Sequence, residues 1–260
     1  MKKILSKILN YRSKVRQTKR EKDIIEKLQS SSSIIKYYLH SSQGTFINID
    51  PIVVFHENNK VMQTTLGRVI FPEVFGKENV VVLKDNTYKY HKFLYDNQDS
   101  IEQSFKFTVV RNPYSRVLSA FLYINKASLP QSFDKQKRLF NLFIKNDLLI
   151  NVPNSDKEIE CRWLRRDSFG SRFFSDAHLN FQHLNVFKNG EILVDKLYKI
   201  EKIDDHWKEL QALLGFNRPL TKHNTTNKSR EYVEYFSDES INIINEVYSN
   251  DFKFLDYKKL

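Results

Sequence analysis

The segment FKFTVVRNPYSRVLSAFLY, Phe105 to Tyr123, constrains the fold more than any other part of the chain. A largely apolar and β-branched run, Phe105 to Val110, meets Arg111, Asn112 and Pro113 and passes at once into a helical pattern. A run of this length predicts a strand covered on both faces. Pro113 suits a first helical turn, and Val117, Leu118, Phe121 and Leu122 then fall on one helix face. Strand, short turn and helix in direct succession form the repeating unit of an α/β fold.

The same unit recurs. Pro51 to His56 (PIVVFH) predicts a buried strand, followed by the polar turn Glu57 to Lys60 and a helix from about Thr64. Further strands are expected at Val80 to Leu83 and at Lys196 to Ile203. Beyond Pro130 helices dominate: Lys135 to Leu149, Asp204 to Leu214 closed by Gly215, and Asp238 to Phe254. The expected class is α/β, a P-loop-like parallel sheet flanked by helices with a helix-rich C-terminal part. Residues 46–260 are assigned to this domain and residues 1–45 to a basic helical N-terminal extension.

Composition narrows the partners. Twenty Phe and thirteen Tyr, against six Gly and six Pro in 260 residues, describe a chain with a packed core and exclude collagen-like or low-complexity classes. A net charge of +11 invites anionic partners without choosing among them. The single cysteine, Cys161, excludes an internal disulfide and a cysteine metal cluster. Met1 to Lys22 holds nine Lys or Arg, and its apolar residues Ile4, Leu5, Ile8 and Leu9 are spaced helically rather than as a continuous run. This pattern reads as neither a signal peptide nor a membrane span. The expectation is a cytoplasmic protein whose basic N-terminal helix can rest on the anionic inner face of a membrane.

Two places carry the chemistry. In ENNKVMQTT, Glu57 to Thr65, a lysine in the turn after a buried strand precedes adjacent hydroxyls at a helix start. Unpaired N–H groups there are partly positive, the hydroxyls add donors and Lys60 adds a full charge, so an anion is favoured. An ordinary helix cap fits Thr64 and Thr65 as well, and the glycine-rich loop of nucleoside triphosphatases is absent. At the second place, Arg111 stands at the carboxyl end of a strand and Ser115, Arg116 and Ser119 follow on the helix. Open α/β sheets bind ligands at that end, and an arginine can offer a phosphate two parallel donors. A structural ion pair is the competing reading.

The segment FKFTVVRNPYSRVLSAF resembles the 3′-phosphate-binding segment of the carbohydrate sulfotransferases, the broad group that includes chondroitin and heparan sulfate enzymes with many bacterial relatives. ENNKVMQTT resembles that family's 5′-phosphosulfate loop, although Asn59, Met62 and Gln63 stand where the family usually has proline and small residues. DAHLNFQ (Asp176 to Gln182), KLYKIEKI and EVYSNDFKFLDY are similar to later family blocks, so the resemblance runs from about Pro51 to Tyr257. It implies a co-substrate, 3′-phosphoadenosine 5′-phosphosulfate (PAPS). Arg111 and Ser119 fall on its 3′-phosphate positions, and Lys60, Gln63, Thr64 and Thr65 on its phosphosulfate loop. Lys228 and Ser229, in the loop HNTTNKS, match a segment that closes over the nucleotide.

The implied reaction is in-line sulfuryl transfer to a hydroxyl of a glycan or glycolipid, with no metal. Lys60 would neutralise charge on the leaving oxygen. The acceptor needs a general base. His91 lies near the place where heparan-type 2-O-sulfotransferases put a catalytic histidine, though TYKYHKFLYDN reads as a helix. His56 ends the first strand four residues before Lys60. His178 and Gln182 read as pocket wall or packing, and the arginines of CRWLRRDSFGSR as a solvated face or an acidic-sugar patch. Two alternatives stand beside the enzyme: a non-catalytic protein binding acidic polysaccharide or nucleic acid, and a P-loop-type kinase. No nucleic-acid module is recognisable, so no nucleic-acid partner is expected.

Overall fold

The computed structural model describes residues 19–32, 34–35, 38, 45–49, 52–56, 61–83, 88–148, 178–188, 191–220 and 231–260. Its centre is a five-stranded sheet of β1 (Thr45–Ile49), β2 (Ile52–His56), β3 (Val80–Leu83), β4 (Phe105–Val110) and a strand Lys196–Lys199, called β7 because a two-stranded ribbon of β5 (Phe187–Lys188) and β6 (Glu191–Ile192) precedes it. The spatial order is β3-β1-β2-β4-β7. β2, β4 and β7 pair in parallel, whereas β1 is antiparallel to both β2 and β3. Four strands therefore share one direction and β1 opposes them.

This corrects the expected purely parallel sheet. In the segment TFINI, Thr45 and Asn48 break up the apolar residues, so no continuous apolar run marks a strand. Pairing with β2 on one side and β3 on the other makes it one. Two smaller differences follow the same logic. β7 stops at Lys199 and gives way to a 3₁₀ turn, Ile200–Lys202, and the C-terminal helix is two helices.

Period-two alternation explains how the sheet is covered. Val53, Phe55, Phe107, Val109 and Tyr198 point to one face. They meet α2, a π-helical segment Gln63–Ile70 running into Phe71–Phe75, and α7, Ile203–Leu214. Phe107 is central, with ring centroids 5.2 Å from Phe55 and 6.2 Å from both Phe71 and Tyr198. Ile47 and Val54 point to the other face. They are covered by α1 (residues 19–29), α3 (Tyr88–Asp96) and α4 (Gln98–Gln103) through Leu28, Tyr90, Leu94 and Ile101. Fully covering one such side chain contributes about 1.5–3 kcal/mol.

Two polar residues in β4 are accounted for inside this core. Lys106 Nζ donates to the carbonyls of Glu102 (2.8 Å) and Ser104 (2.7 Å), and Thr108 Oγ1 donates to the carbonyl of His56 at 2.8 Å. Beyond β4, α5 (Pro113–Ile124), α6 (Phe133–Phe143, continuing as Ile144–Leu148), α8 (Asp238–Val247) and α9 (Ser249–Phe254) build the helix-rich part around Tyr114, Phe121, Phe140, Phe236 and Tyr248. Gly215 ends α7 at φ 70°, the left-handed conformation that a side chain disfavours. No helix of the described residues is long and apolar enough to cross a membrane.

Candidate functional site

β2 and β4 are neighbouring parallel strands, with His56 opposite Thr108. Their chains therefore leave the same edge of the sheet side by side, one toward α2 and the other toward α5. This edge is the carboxyl end, where open α/β sheets bind ligands. It brings together Thr64 and Thr65 at the start of α2 with Arg111, Ser115 and Ser119 at the start of α5. Lys60, Lys228, Ser229, Cys161 and the arginines of residues 161–172 lie outside the described residues, as does most of the basic N-terminal stretch.

Arg111 sits one residue beyond the β4 ladder. Its Nε donates to Ser115 Oγ at 3.0 Å, and its two terminal nitrogens make no hydrogen bond to a described residue. Ser119 lies one turn past Ser115 on the same helix face, partly exposed, and its hydroxyl likewise has no described partner. Burial disfavours the charge on Arg111 and lowers its pKa, while the Glu201 carboxylate acts in the opposite sense. The result is a partly exposed cation whose terminal nitrogens have no partner among the described residues, followed on the next helix by a hydroxyl of which the same is true. Such a pair can accept a phosphate through charge-assisted bonds.

The loop before α2 has its own signature. Met62 adopts φ 53°, a left-handed conformation uncommon for a non-glycine residue. Its carbonyl accepts from Leu66 N at 2.8 Å and so begins the helix. Thr65 is buried and Thr64 partly so. The first-turn N–H groups of this helix point out of its start, as helix geometry requires. A glycine at this position would meet less backbone strain than Met62 does.

The two nominated histidines occupy different surroundings. His56 is 1% exposed, with Nε2 2.5 Å from the Tyr38 hydroxyl and Nδ1 3.0 Å from the carbonyl of Asn185. A carbonyl only accepts, so Nδ1 carries the proton and Nε2 accepts from Tyr38. Both nitrogens are thus engaged within the fold. Burial pushes the His56 pKa down to about 4. A group of that basicity holding both bonds is a poor proton acceptor near neutrality.

The same burial makes stability pH-dependent. As pH falls through 6.5 the unfolded chain takes up a proton at His56, while the folded chain resists it until about 4. Stability is therefore lost across this window, by roughly 3 kcal/mol from this group. Urea unfolding at pH 7 and pH 4 should show a smaller loss in His56→Gln than in the parent. Equal losses would refute the assignment.

His91 lies in the first turn of α3, the helix that follows β3, and β3 is two strand positions from β2. It is buried, and its Nδ1 is 2.9 Å from Glu21 Oε1 on α1. The helix expected around it is present. A carboxylate on Nδ1 orients an imidazole and leaves Nε2 as its reactive nitrogen.

The turn around Arg111 is built by Gln182, which from sequence reads as pocket wall or packing, and by Glu201 and Asp251, for which sequence pattern suggests no role. Gln182, wholly buried, accepts from Arg111 N through Oε1 at 2.9 Å and donates from Nε2 to Arg111 O at 2.7 Å. Glu201 accepts from Asn112 N at 2.7 Å and from the Tyr257 hydroxyl at 2.9 Å. Burial and then this carboxylate raise the Tyr257 pKa well above the ordinary phenol value. Asp251, also wholly buried, accepts from Gln182 N (3.0 Å), His183 N (2.9 Å) and His183 Nδ1 (2.6 Å). Beside it Arg116, 2% exposed, donates to Asn180 O at 2.6 Å. His178 packs its ring 5.6 Å from Tyr123. Gln182 lies in DAHLNFQ, Glu201 in KLYKIEKI, and Asp251 and Tyr257 in EVYSNDFKFLDY, the blocks that carry the resemblance to the family.

The sequence model described as the sulfotransferase family matches residues 43–258, nearly all of the α/β domain. No curated protein and no solved structure matches the chain.

Proposed function

The chain belongs to the sulfotransferase family, and from that premise we propose that it transfers a sulfuryl group from PAPS to a hydroxyl of a carbohydrate, whether polysaccharide, oligosaccharide or glycolipid. The observation that carries the reading is Arg111 at the carboxyl end of β4, a partly exposed guanidinium whose terminal nitrogens bond no described residue, with Ser119, whose hydroxyl has no partner among the described residues, on the helix that follows. In this reading Arg111 and Ser119 take the 3′-phosphate, which distinguishes PAPS from ATP. Thr64, Thr65 and the backbone of Gln63 hold the 5′-phosphate at the start of α2, joined by Lys60. Lys228 and Ser229 close over the nucleotide.

Transfer follows the physics of phosphoryl transfer. The acceptor oxygen attacks sulfur, the sulfur to phosphate-oxygen bond breaks in line, and the negative charge grows on the leaving bisphosphate. Lys60 meets that charge. Preorganised donors of this kind commonly supply the largest catalytic contribution. The proton of the acceptor passes to a base, and of the two histidines His91 has the hydrogen-bond pattern that suits the role. Glu21 holds its Nδ1, whereas His56 has both nitrogens committed.

Calorimetric titration of the full chain with adenosine 3′,5′-bisphosphate, ATP and a DNA duplex tests this reading. The expected result is magnesium-independent binding of the bisphosphate, at least tenfold tighter than ATP. Binding of only ATP would favour a kinase, binding of only DNA a nucleic-acid protein, and either would refute the proposal.

A further inference from the structure

Arg111 N–H and C=O lie just past the last rung of the sheet, since β4 pairs with β7 as far as Val110 opposite Lys199 and with β2 only as far as Thr108. Backbone groups in a covered position need partners. The Gln182 side-chain amide supplies both, donor to carbonyl and acceptor to N–H, and so extends the ladder by one rung. The next N–H, that of Asn112, goes to Glu201. Asn112 Oδ1 then caps α5 by accepting from Tyr114 N at 3.0 Å. Every backbone donor from Arg111 to Tyr114 is thereby assigned, Pro113 having none.

The partners are themselves anchored. Gln182 N is held by Asp251, and Glu201 is held by the Tyr257 hydroxyl. The turn carrying Arg111 is thus fixed from two sides by segments seventy to ninety residues distant in sequence. Resting on the nucleotide-binding reading given above, we propose that Gln182 and Glu201 are positioning residues for PAPS, setting the backbone from which Arg111 reaches the 3′-phosphate while touching no part of it. A bidentate contact tolerates little misplacement, because both donors must meet the phosphate at hydrogen-bond distance.

A carboxylate beside an anion site invites a different account, in which Glu201 merely opposes the charge of Arg111. The two make opposite predictions. If Glu201 positions the turn, Glu201→Ala releases the N–H of Asn112 and weakens bisphosphate binding, whereas Glu201→Gln keeps an acceptor oxygen and restores it. If Glu201 only balances charge, both variants tighten binding by removing a repulsive neighbour of the phosphate.

The experiment is calorimetric titration of adenosine 3′,5′-bisphosphate into the parent, Gln182→Met, Glu201→Ala and Glu201→Gln, with thermal unfolding of each. The expected result is a Kd about tenfold weaker in Gln182→Met, about fivefold weaker in Glu201→Ala and within twofold of the parent in Glu201→Gln. Unchanged affinity in a folded Gln182→Met, or tighter binding in both Glu201 variants, overturns the proposal. Glu201 is exposed, so its variants decide the matter if Gln182→Met does not fold. A parent protein that fails to bind the bisphosphate overturns the nucleotide reading itself, a result distinct from any difference among the variants.

Discussion

Replacing Arg111 with alanine is expected to lower affinity for adenosine 3′,5′-bisphosphate by roughly 10²- to 10⁴-fold. Two charge-assisted bonds from its terminal nitrogens to the 3′-phosphate would be lost, each worth about 1.5–3 kcal/mol. The fold should tolerate the change, because Arg111 is partly exposed and the bonds of its backbone to Gln182 do not involve the side chain. Arg111→Lys should recover only part of the loss, since an ammonium replaces the charge but not the planar fork. Calorimetry on the three proteins reads the effect directly. Affinity unchanged by Arg111→Ala would remove the 3′-phosphate from this site.

Asp251→Ala is expected to produce the largest loss of stability, about 3–5 kcal/mol, because three buried donors lose their acceptor at roughly 1–3 kcal/mol each. The wholly buried carboxylate serves two backbone N–H groups and one imidazole nitrogen, and it offsets the charge of Arg116, whose pKa burial lowers and Asp251 raises. Truncation leaves these donors without their acceptor and removes a charge that favours the buried Arg116 guanidinium. For a chain of this size the melting temperature should fall on the order of 10 °C. Asp251→Asn retains an oxygen acceptor and should lose less. A change below about 1 kcal/mol in Asp251→Ala, measured by urea unfolding, would show that the network is incidental.

Both predictions concern residues that sequence patterns treat very differently. Arg111 is legible because local order reveals it: an apolar run that must be a covered strand, then arginine, then a proline-opened helix. Strand polarity alone puts that arginine at the binding edge. Thr64 and Thr65 are legible for the same reason, one strand over. Asp251 sits in a helix among Ser249, Asn250 and Lys253, where an acidic residue ordinarily faces water. Only the packing of α9 against the 180–185 segment turns it inward.

The same division separates the two histidines. Spacing from Lys60 made His56 a reasonable base, but its role follows from Tyr38 and Asn185, 18 residues before it and 129 after it. The antiparallel strand β1 was equally unreadable. Its five residues carry weak apolar signal, and its identity as a strand comes from neighbours on both sides.

The segment Phe105 to Tyr123 thus determined by itself the strand, the turn, the helix and the arginine presented at their junction, because covalent order and short-range sterics suffice for those. The tertiary structure decided how firmly that junction is held. Gln182 and Glu201 reach it from about 70 to 90 residues away and Asp251 anchors Gln182 from a similar distance, and hydrogen bonds between such distant segments leave no periodicity in the chain from which they could be foreseen.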